Sequence, residues 1–504
     1  MKAVFIREQI LDLENSLSKE YLLTNGLGSY CSSTILDCHT RKYHGLLAAF
    51  LPKLNSVYML VSKLELSLII GKKEFHLSTN KFPGVFHSTG HKYIEKFEIE
   101  YIPTTTYKIA DTILIKSIIM PHYENTVLAR YELVAGQKSV TLKVTPFLAY
   151  RQIHEITYEN TYIRPRTFFE ENGFKIDPYQ KLPPLYIQTS KHSLFYPAPC
   201  WWKNFEYLKE RRRGYEYAED LFNPGVFEVK LKKGEHVVFR VSIQKKRHRI
   251  NYQWQKAREH ISKLKQRFSQ DSEPLKTLKI QAEHYLTAQK RGIIAGFHWF
   301  GEWGRDTMLS LPGITICRDD KKSALDILKR YTKYEKNGLL PNILDTTAHQ
   351  AYNSIDTSLL FFWAIQKYIA YTHDKKNILE YLLPTMIKII ASFLNKKTPL
   401  VEIKENGLLY AGNKDTQLTW MDAQVNSRPV TPRHGAAVEI NALWYNALCF
   451  LLNHYKKQLP QKLHEHIKKA CTLFKENFIK IFWNETQQSL LDVYTSNQDF
   501  EDHI

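Results

Sequence analysis

The chain has 504 residues, too many for one ordinary hydrophobic core, so its length predicts two to four domains. Hydrophobic residues make up 43% and aromatic residues 13%, with only 20 glycines and 20 prolines, which excludes a disordered or fibrous protein. The net charge of +19 would suit a polyanion, but the densest basic runs, at 209–213 and 245–249, are short and separate, and no nucleic-acid module follows them. We therefore expect solvated surface charge and no nucleic-acid partner.

The cysteines and the first residues of the chain bear on its compartment. The six cysteines are scattered without CxxC spacing, and the amino-terminal stretch mixes charges into its apolar residues instead of forming a secretory signal. No window reaches the run of about eighteen apolar residues that spans a bilayer. These features predict a cytoplasmic protein with reduced cysteines and no membrane partner.

Up to about residue 250 the sequence has the period of β-strands. Alternating or β-rich runs occur at 56–70, 126–134 and 139–148. Gly71, Gly136 and Gly234 each lie between two strand-like runs, where a glycine can take the positive φ of a hairpin loop. The pattern predicts an antiparallel β-sandwich over residues 1–250.

After residue 250 the period becomes helical. A basic amphipathic stretch at 251–274 predicts a linker helix. Seven further helices are predicted at 275–291, 304–316, 320–335, 355–373, 376–396, 436–455 and 460–482. Several are apolar over a wide arc, as expected of helices buried among other helices. The sequence thus predicts a helical domain over 275–504 and, for the whole chain, an α+β multidomain fold.

Two long connections interrupt the predicted helices, at 338–356 and 407–440. Both are rich in polar and aromatic residues. Loops of this length are uncommon in a compact helical domain unless they have a function. We expect the functional surface at the end of the domain where these loops gather.

Four carboxylates in or beside the atypical segments are candidates for acid-base chemistry: Asp306, Asp356, Asp422 and Glu439. Hydrolysis of a glycosidic bond needs an acid that protonates the leaving oxygen, and usually a second carboxylate as base or nucleophile. Asp422 follows Trp420 by two residues within a loop. A carboxyl packed against indole loses hydration, which raises its pKa, so Asp422 is the expected general acid.

A neighbouring group of residues suits the binding of a sugar. We expect Arg305 and the adjoining Asp306 to pair, so that the carboxylate accepts hydrogen bonds from vicinal hydroxyls while the guanidinium donates to them. Apolar ring faces on which a pyranose could stack would come from Trp299, Phe300, Trp303 and Trp420.

Each of these motifs also has a purely structural interpretation. Residues 303–306 (WGRD) could start a helix whose aspartate caps it and pairs with the arginine, and 353–356 (NSID) could be a helix cap. Trp420 could be a core residue beside an ordinary loop aspartate, Asp422. Three histidines lie in or near these segments: His298, His349 and His434. They form no zinc motif, and no nucleotide-binding loop is present, so we expect neither a metal nor a cofactor.

The order of the motifs resembles the glycogen debranching enzymes, in the amylo-α-1,6-glucosidase form of bacteria and archaea. The stretch YLLTNGLGSYCSSTILDCHTRKYHGLLAA (21–49) is similar to the opening signature of that family. Matches to its glucosidase domain follow in order: WFGEWGRDTMLSLPG (299–313), GLLPN (338–342), YNSIDTSLLFFW (352–363), LTWMDA (418–423) and VTPRHGAAVEINALWYNAL (430–448). The resemblance covers nearly the whole chain, and the combination is far more specific than any single motif.

The resemblance implies a fold, a reaction and a set of site residues. The fold would be an N-terminal β-sandwich followed by an (α/α)6 toroid of twelve helices, shared with glucoamylase-like enzymes. The reaction would be inverting hydrolysis of the single α-1,6-linked glucose at a trimmed branch point of glycogen or a related α-glucan. Arg305 and Asp306 would grip that glucose, and Asp422 would be the catalytic acid. The pocket would be lined by Trp299, Trp420, Tyr352, Asn353, Asp356, Arg433 and Glu439.

The chain departs from the family pattern at its end. Seven predicted helices are not twelve, and the sequence stops at 504 where the family continues into further helices. The base that activates water in an inverting enzyme commonly comes from late in such a toroid, and an open toroid would expose apolar helix flanks. We therefore expect a C-terminally truncated member, from a split or decayed gene or as a fragment. The alternative is a separately encoded C-terminal segment that completes the ring.

Two other functions stay open from the sequence. One is a catalytically incomplete relic that binds glycogen or another α-glucan through Arg305 and Asp306. The other is a glucoamylase-like or trehalase-like glucosidase that cleaves a different linkage.

Overall fold

The computed structural model describes residues 2–136, 138–245, 249–287, 292–344 and 350–495. The chain forms two compact units, Met1–His284 and Tyr285–Ile504. The first unit is rich in antiparallel strands and the second is helical, which confirms the α+β class. The predicted domain bounds differ from this division, because the helical segments up to residue 284 belong to the first unit.

Two antiparallel sheets form the body of the first unit. The nine-stranded sheet runs, in spatial order, through Ala3–Ile6, Ile94–Ile99, Thr104–Ile109, Thr112–Ile119, Thr126–Ala135, His236–Ser242, Leu185–Thr189, Gly173–Ile176 and Thr167–Glu170. The eight-stranded sheet runs through Leu194–Glu206, Ala218–Lys232, Ser139–Gln152, Ser56–Ile70, Gly45–Leu51, Tyr30–Thr34 and Glu20–Thr24, with Lys73–His76 beside Ser56–Ile70. A separate hairpin pairs Thr79–Phe82 with Val85–Thr89, and short helices occupy Arg7–Leu11, Leu13–Ser18 and Leu208–Arg212.

One apolar cluster is shared by the two sheets. Leu47 and Leu142 come from the eight-stranded sheet, and Leu114 and Phe239 from the nine-stranded sheet, and each is at most 1% exposed. Alternate residues of each strand supply these side chains, because successive side chains point to opposite faces. The two sheets are therefore layers packed over a common core.

Two of the three turn glycines have roles different from those expected. All three have positive φ, but only Gly71 closes a hairpin, between Ser56–Ile70 and Lys73–His76. Gly136 and Gly234 each connect a strand of one sheet to a strand of the other. The prediction of hairpins at these two positions is wrong, because strands that succeed each other in a sandwich need not pair with each other.

The helix Ile250–Arg267, predicted as a linker, packs on the first unit. Ile250, Trp254 and Ala257 lie on one face of the helix and are buried with Ile119 and Val238 of the nine-stranded sheet. Their spacing of four and three positions is that of an apolar stripe facing a core.

The helix predicted at 275–291 is only partly correct. The helix Glu273–Gln281 ends early, and Leu286–Thr287 begins an antiparallel sheet with Gly292–Gly296 and Phe300–Glu302, while 288–291 lie outside the described residues. A Cβ at Gly292 would lie 2.3 Å from the Glu302 carboxylate, so the Glu302 side chain occupies the space that a side chain at position 292 would need.

The other six predicted helices of the second unit are confirmed. They span Gly304–Ile314, Lys321–Thr332, Asp356–Thr372, Lys375–Leu394, Val438–Tyr455 and Gln461–Phe482. Short strands lie between them at Ile343–Leu344, Gln350–Ala351, Val401–Ile403, Leu409–Ala411, Gln424–Val425, Arg428–Pro429, Ala436–Ala437, Trp483–Asn484, Ser489–Leu490 and Val493–Tyr494.

One helix of the described chain, Lys375–Leu394, is long and apolar enough to cross a membrane by length and composition. Half of its most apolar window is buried inside the protein. Met386, Ile389 and Phe393 are fully buried in the core of the helical unit.

Candidate active site

Three helices of the second unit begin with a carboxylate in the first turn. Asp306 lies in the first turn of Gly304–Ile314, Asp356 begins Asp356–Thr372, and Glu439 lies in the first turn of Val438–Tyr455. A helix N-terminus carries partial positive charge, which stabilises anionic side chains there. Two arginines connect these helix starts to the loop after residue 417.

Arg305 is the first of these arginines. Its Nε donates to Asp356 Oδ2 at 2.5 Å, its Nη1 to Asp422 Oδ2 at 3.0 Å, and its Nη2 to the carbonyl of Thr419 at 3.1 Å. The guanidinium is 12% exposed, Asp356 5% and Asp422 21%. The largely buried Arg305 thus links two helix starts to the LTWMDA loop (418–423). The two long connections, 338–356 and 407–440, therefore meet at this residue, as expected.

The expected pair of Arg305 and Asp306 is wrong. The guanidinium bonds to Asp356 and Asp422, both remote in sequence, because adjacent residues on a helix do not face each other. Burial raises the pKa of the half-buried Asp306 above its ordinary 3.8; the charge of Arg305 lowers it, and the charges of Asp422 and Asp356 raise it. Asp306 therefore takes up a proton at a higher pH than an ordinary aspartate does.

Asp422 has a different environment from the one expected. Trp420 is 53% exposed, whereas the carboxylate of Asp422 lies 3.0 Å from Arg305 Nη1. The side chain that binds the Asp422 carboxylate is thus Arg305, and not the expected Trp420. Asp422 does lie close to Arg305, the residue expected to grip the terminal glucose.

Arg433 is the second arginine. It donates through Nη1 and Nη2 to the two carboxylate oxygens of Glu439, at 2.6 and 2.7 Å, and through Nε and Nη2 to those of Asp492, at 2.8 and 2.6 Å. Nη1 also donates to Thr419 Oγ1 at 3.1 Å. Since the Thr419 carbonyl accepts from Arg305, this threonine joins the two arginine clusters. The two carboxylates raise the pKa of Arg433 and hold it fully charged, against the effect of burial.

The remaining predicted residues lie around these clusters or nearby. The Tyr352 hydroxyl donates to the carbonyl of Tyr334 at 2.7 Å, so it serves the local fold. Asn353 Oδ1 is buried and has no hydrogen-bond partner among the described residues. Trp299 is half-buried beside His298, with ring centroids 5.5 Å apart. Phe300, 52% exposed, meets Trp303 edge to face at 5.7 Å.

Both motifs lie at a helix start, as their structural interpretation requires, but the expected side-chain caps are not formed. Trp303 and Ile355 hold the cap positions, and neither makes a side-chain cap bond. Instead Ser354 donates to Asp356, which also accepts from Arg305. Of the three histidines considered for zinc, His349 lies outside the described residues.

Most of the chain matches models of known protein families. Residues 19–238 match the family model described as glycogen debranching enzyme N terminal, and residues 255–504 match the one described as amylo-alpha-1,6-glucosidase. The chain belongs to the glycogen debranching enzyme family. The glycogen debranching enzyme of Saccharomyces cerevisiae is 26% identical over 31% of this chain, and the match covers 14% of the yeast protein.

A solved structure of a glucoamylase supports the fold of the debranching-family chain. A bacterial glucoamylase complexed with acarbose matches with a TM-score of 0.50 and 10% identity, over 93% of this chain and 66% of its own. A rhamnosidase of Bacillus sp. GL1 matches with a TM-score of 0.30 and 11% identity, over 68% of this chain and 36% of its own. The glucoamylase-like architecture agrees with the sheet-rich first unit and the helical second unit.

The opening debranching-family signature at 21–49 is largely structural. It forms adjoining strands of the eight-stranded sheet, and almost all of it is buried. Within it, Ser29 Oγ donates to Asn125 Oδ1 at 2.6 Å and Asn25 Nδ2 donates to the same oxygen at 3.0 Å. The signature therefore satisfies buried polar groups of the sandwich.

Sequence reasoning missed several residues of the debranching-family site. Thr419 and Ser354 lie inside motifs already singled out, and their hydroxyls complete the polar network. Asn342 Oδ1 accepts from the backbone N–H of Arg305 at 3.4 Å. Asp492 had no sequence signal, because the pairing of Ala436–Ala437 with Val493–Tyr494 brings it to Arg433.

Proposed function

We propose that the chain is a glycoside hydrolase that removes α-1,6-linked glucose at branch points of glycogen or a related α-glucan. Family membership supports the substrate class. The observation that carries the proposal for this chain is the cluster in which Arg305 holds Asp356 and Asp422 beside Asp306. A glucose ring needs such a combination of fixed donors and acceptors, and glycosidic hydrolysis needs carboxyl groups.

In the proposed reaction the glycosidic bond between C1 of the terminal glucose and O6 of the main chain breaks. Asp422 gives its proton to O6, while water attacks C1 from the opposite face and loses a proton to a carboxylate base. The products are glucose of inverted configuration and the unbranched chain. Hydroxyls of the bound glucose compete for Arg305 Nη1, and this frees Asp422 from its ion pair to carry the proton.

We further propose that the helical unit has the (α/α)6 toroid arrangement. The likeness to a glucoamylase supports this arrangement, as does the gathering of three helix starts around two arginines. In this arrangement the loops at one end of the helices form the substrate pocket, with Trp299 and Trp420 as ring faces and Arg433 and Glu439 as its supporting pair.

The linkage is tested by comparing rates on three substrates. Purified protein is incubated with a glucosyl-branched maltosaccharide, an α-1,4 maltosaccharide and α,α-1,1 trehalose, and free glucose is measured. We expect the α-1,6 substrate to give the highest kcat/KM. A higher value on either of the others would replace the proposal with a glucoamylase-like or trehalase-like function.

One observation favours a second candidate, an α-glucan-binding protein without turnover. Asp422 Oδ2 accepts from Arg305 Nη1 at 3.0 Å, so in this arrangement the carboxylate is engaged by the arginine and is not free to meet a glycosidic oxygen. This candidate predicts binding to immobilised glycogen that is undiminished in Asp422→Asn, together with no glucose release from any of the three substrates.

The acid side of the pH profile depends on Asp306. Because its pKa is raised, its protonated form persists to a higher pH than for an ordinary aspartate, so kcat/KM is expected to fall on acidification at a pH above 3.8. Asp306→Asn should remove this decline and lower the plateau about tenfold to a hundredfold, because a charge-assisted hydrogen bond to the sugar is lost. The measurement is kcat/KM against pH, with the exposed Asp319→Asn as control. An unchanged decline in Asp306→Asn would contradict this role.

A further inference from the structure

A second cluster of polar side chains lies in the first unit, apart from the residues of the candidate active site. His122 follows the strand Thr112–Ile119, His260 lies on the helix Ile250–Arg267, and Glu283 lies in the short helical turn Ala282–Tyr285. One ligating atom from each of the three residues lies within 4.8 Å of the others. All three side chains are half-buried.

The contacts within the cluster are close. The His122 and His260 rings stack with their centroids 4.3 Å apart and an interplanar angle of 16°. His122 Nε2 lies 3.7 Å from Glu283 Oε1. His260 Nε2 is buried and has no hydrogen-bond partner among the described residues. A buried polar atom without a hydrogen bond is costly, so the position calls for a further ligand.

The cluster borders a cavity that can hold that ligand. The cavity has a volume of about 60 Å³, and its wall includes the three side chains together with the apolar Ile119, Met120 and Ile280. This is room for an ion and a bound water, since one water needs about 10–15 Å³ of such space. An apolar surround also favours coordination bonds by excluding competing water.

We propose that His122, His260 and Glu283 bind a divalent transition-metal ion of the zinc type. Two imidazoles and one carboxylate are a common zinc ligand set, with water in the fourth position, whereas calcium and magnesium prefer oxygen ligands alone. Tetrahedral zinc at ordinary bond lengths holds its ligand atoms about 3.4 Å apart. The ligand atoms, which lie within 4.8 Å of one another, would have to approach by up to about 1.4 Å to bind zinc in this geometry.

The ion would have a structural role. It would tie the helix Ile250–Arg267 and the turn Ala282–Tyr285 to the sheet through the loop that carries His122. Sequence patterns could not predict this site, because its ligands are far apart in the chain and follow no local zinc motif. The proposal is independent of the glycosidase function.

The test is zinc binding by the full chain after removal of metal with a chelator, measured by titration calorimetry in the presence of a reductant. We expect one equivalent of Zn²⁺ to bind and to raise Tm, and Co²⁺ to give the visible absorption of a four-coordinate site. His260→Gln should weaken binding at least tenfold and abolish the Co²⁺ absorption. His236→Gln, a half-buried histidine outside the cluster, is the matched control and should bind as the wild type does.

Glu283→Gln serves as a second variant, since it preserves size and removes only the charge. Circular dichroism and Tm without metal show whether each variant is folded. The proposal is overturned if the wild type binds no zinc, or if folded His260→Gln or Glu283→Gln binds it as tightly as the wild type.

Discussion

Asp422→Asn is expected to lower kcat for glucose release from a glucosyl-branched maltosaccharide by about a hundredfold to ten-thousandfold, the usual contribution of a general acid. The asparagine keeps the size of the side chain and an oxygen that can accept from Arg305, but it cannot deliver a proton to O6. Steady-state measurement of free glucose gives kcat and KM separately. We expect KM to change little.

Two comparisons separate this role from a structural effect. Asp415→Asn removes an exposed carboxylate from the same loop and should leave kcat unchanged. α-Glucosyl fluoride, whose leaving group needs little protonation, should be hydrolysed by Asp422→Asn with a much smaller loss. Equal losses on both substrates, or more than a tenth of wild-type kcat on the branched one, would rule out Asp422 as the acid.

Arg433→Met is expected to lower the free energy of unfolding by about 3 kcal/mol, because it leaves two carboxylates without the cation between them. Arg433 is only 2% exposed, and it bonds to both oxygens of Glu439 and of Asp492. The partners are 32% and 24% exposed, which places the loss at the lower end of the range for buried pairs.

Urea denaturation monitored by circular dichroism measures this loss, and Arg428→Met is the control because that arginine is exposed. The control should change the free energy of unfolding by less than about 0.5 kcal/mol, as surface substitutions usually do. A similarly small change for Arg433→Met would mean that the bonds to Glu439 and Asp492 do not stabilise the fold.

Sequence patterns predicted the elements whose period reflects burial. The helices Asp356–Thr372 and Val438–Tyr455 are apolar over wide arcs, and they were found within two residues of their expected ends. The pattern failed where tertiary contacts decide the structure. The strand at Gly292–Gly296 depends on close approach to Glu302, and the roles of Gly136 and Gly234 depend on which sheet each following strand joins.

In the candidate site, too, the sequence identified residues but not the contacts between them. Motif order identified Arg305, Asp422 and Arg433, and the structure brings all three together through Thr419. The ion-pair partners of Arg305 were not predictable. Helix geometry turns its side chain away from the adjacent Asp306 and towards Asp356 and Asp422, which are remote in sequence. Asp492 was missed for a related reason, since only strand pairing brings it to Arg433.

A crystal structure of Asp422→Asn with a bound glucosyl-branched maltosaccharide tests most directly whether Arg305, Asp306 and Asp422 form the active site. We expect the terminal glucose to contact Arg305 and Asp306, and its bridging oxygen to lie about 3 Å from the side chain at position 422, within hydrogen-bond reach. A terminal glucose bound away from Arg305, or a bridging oxygen beyond the reach of residue 422, would contradict it.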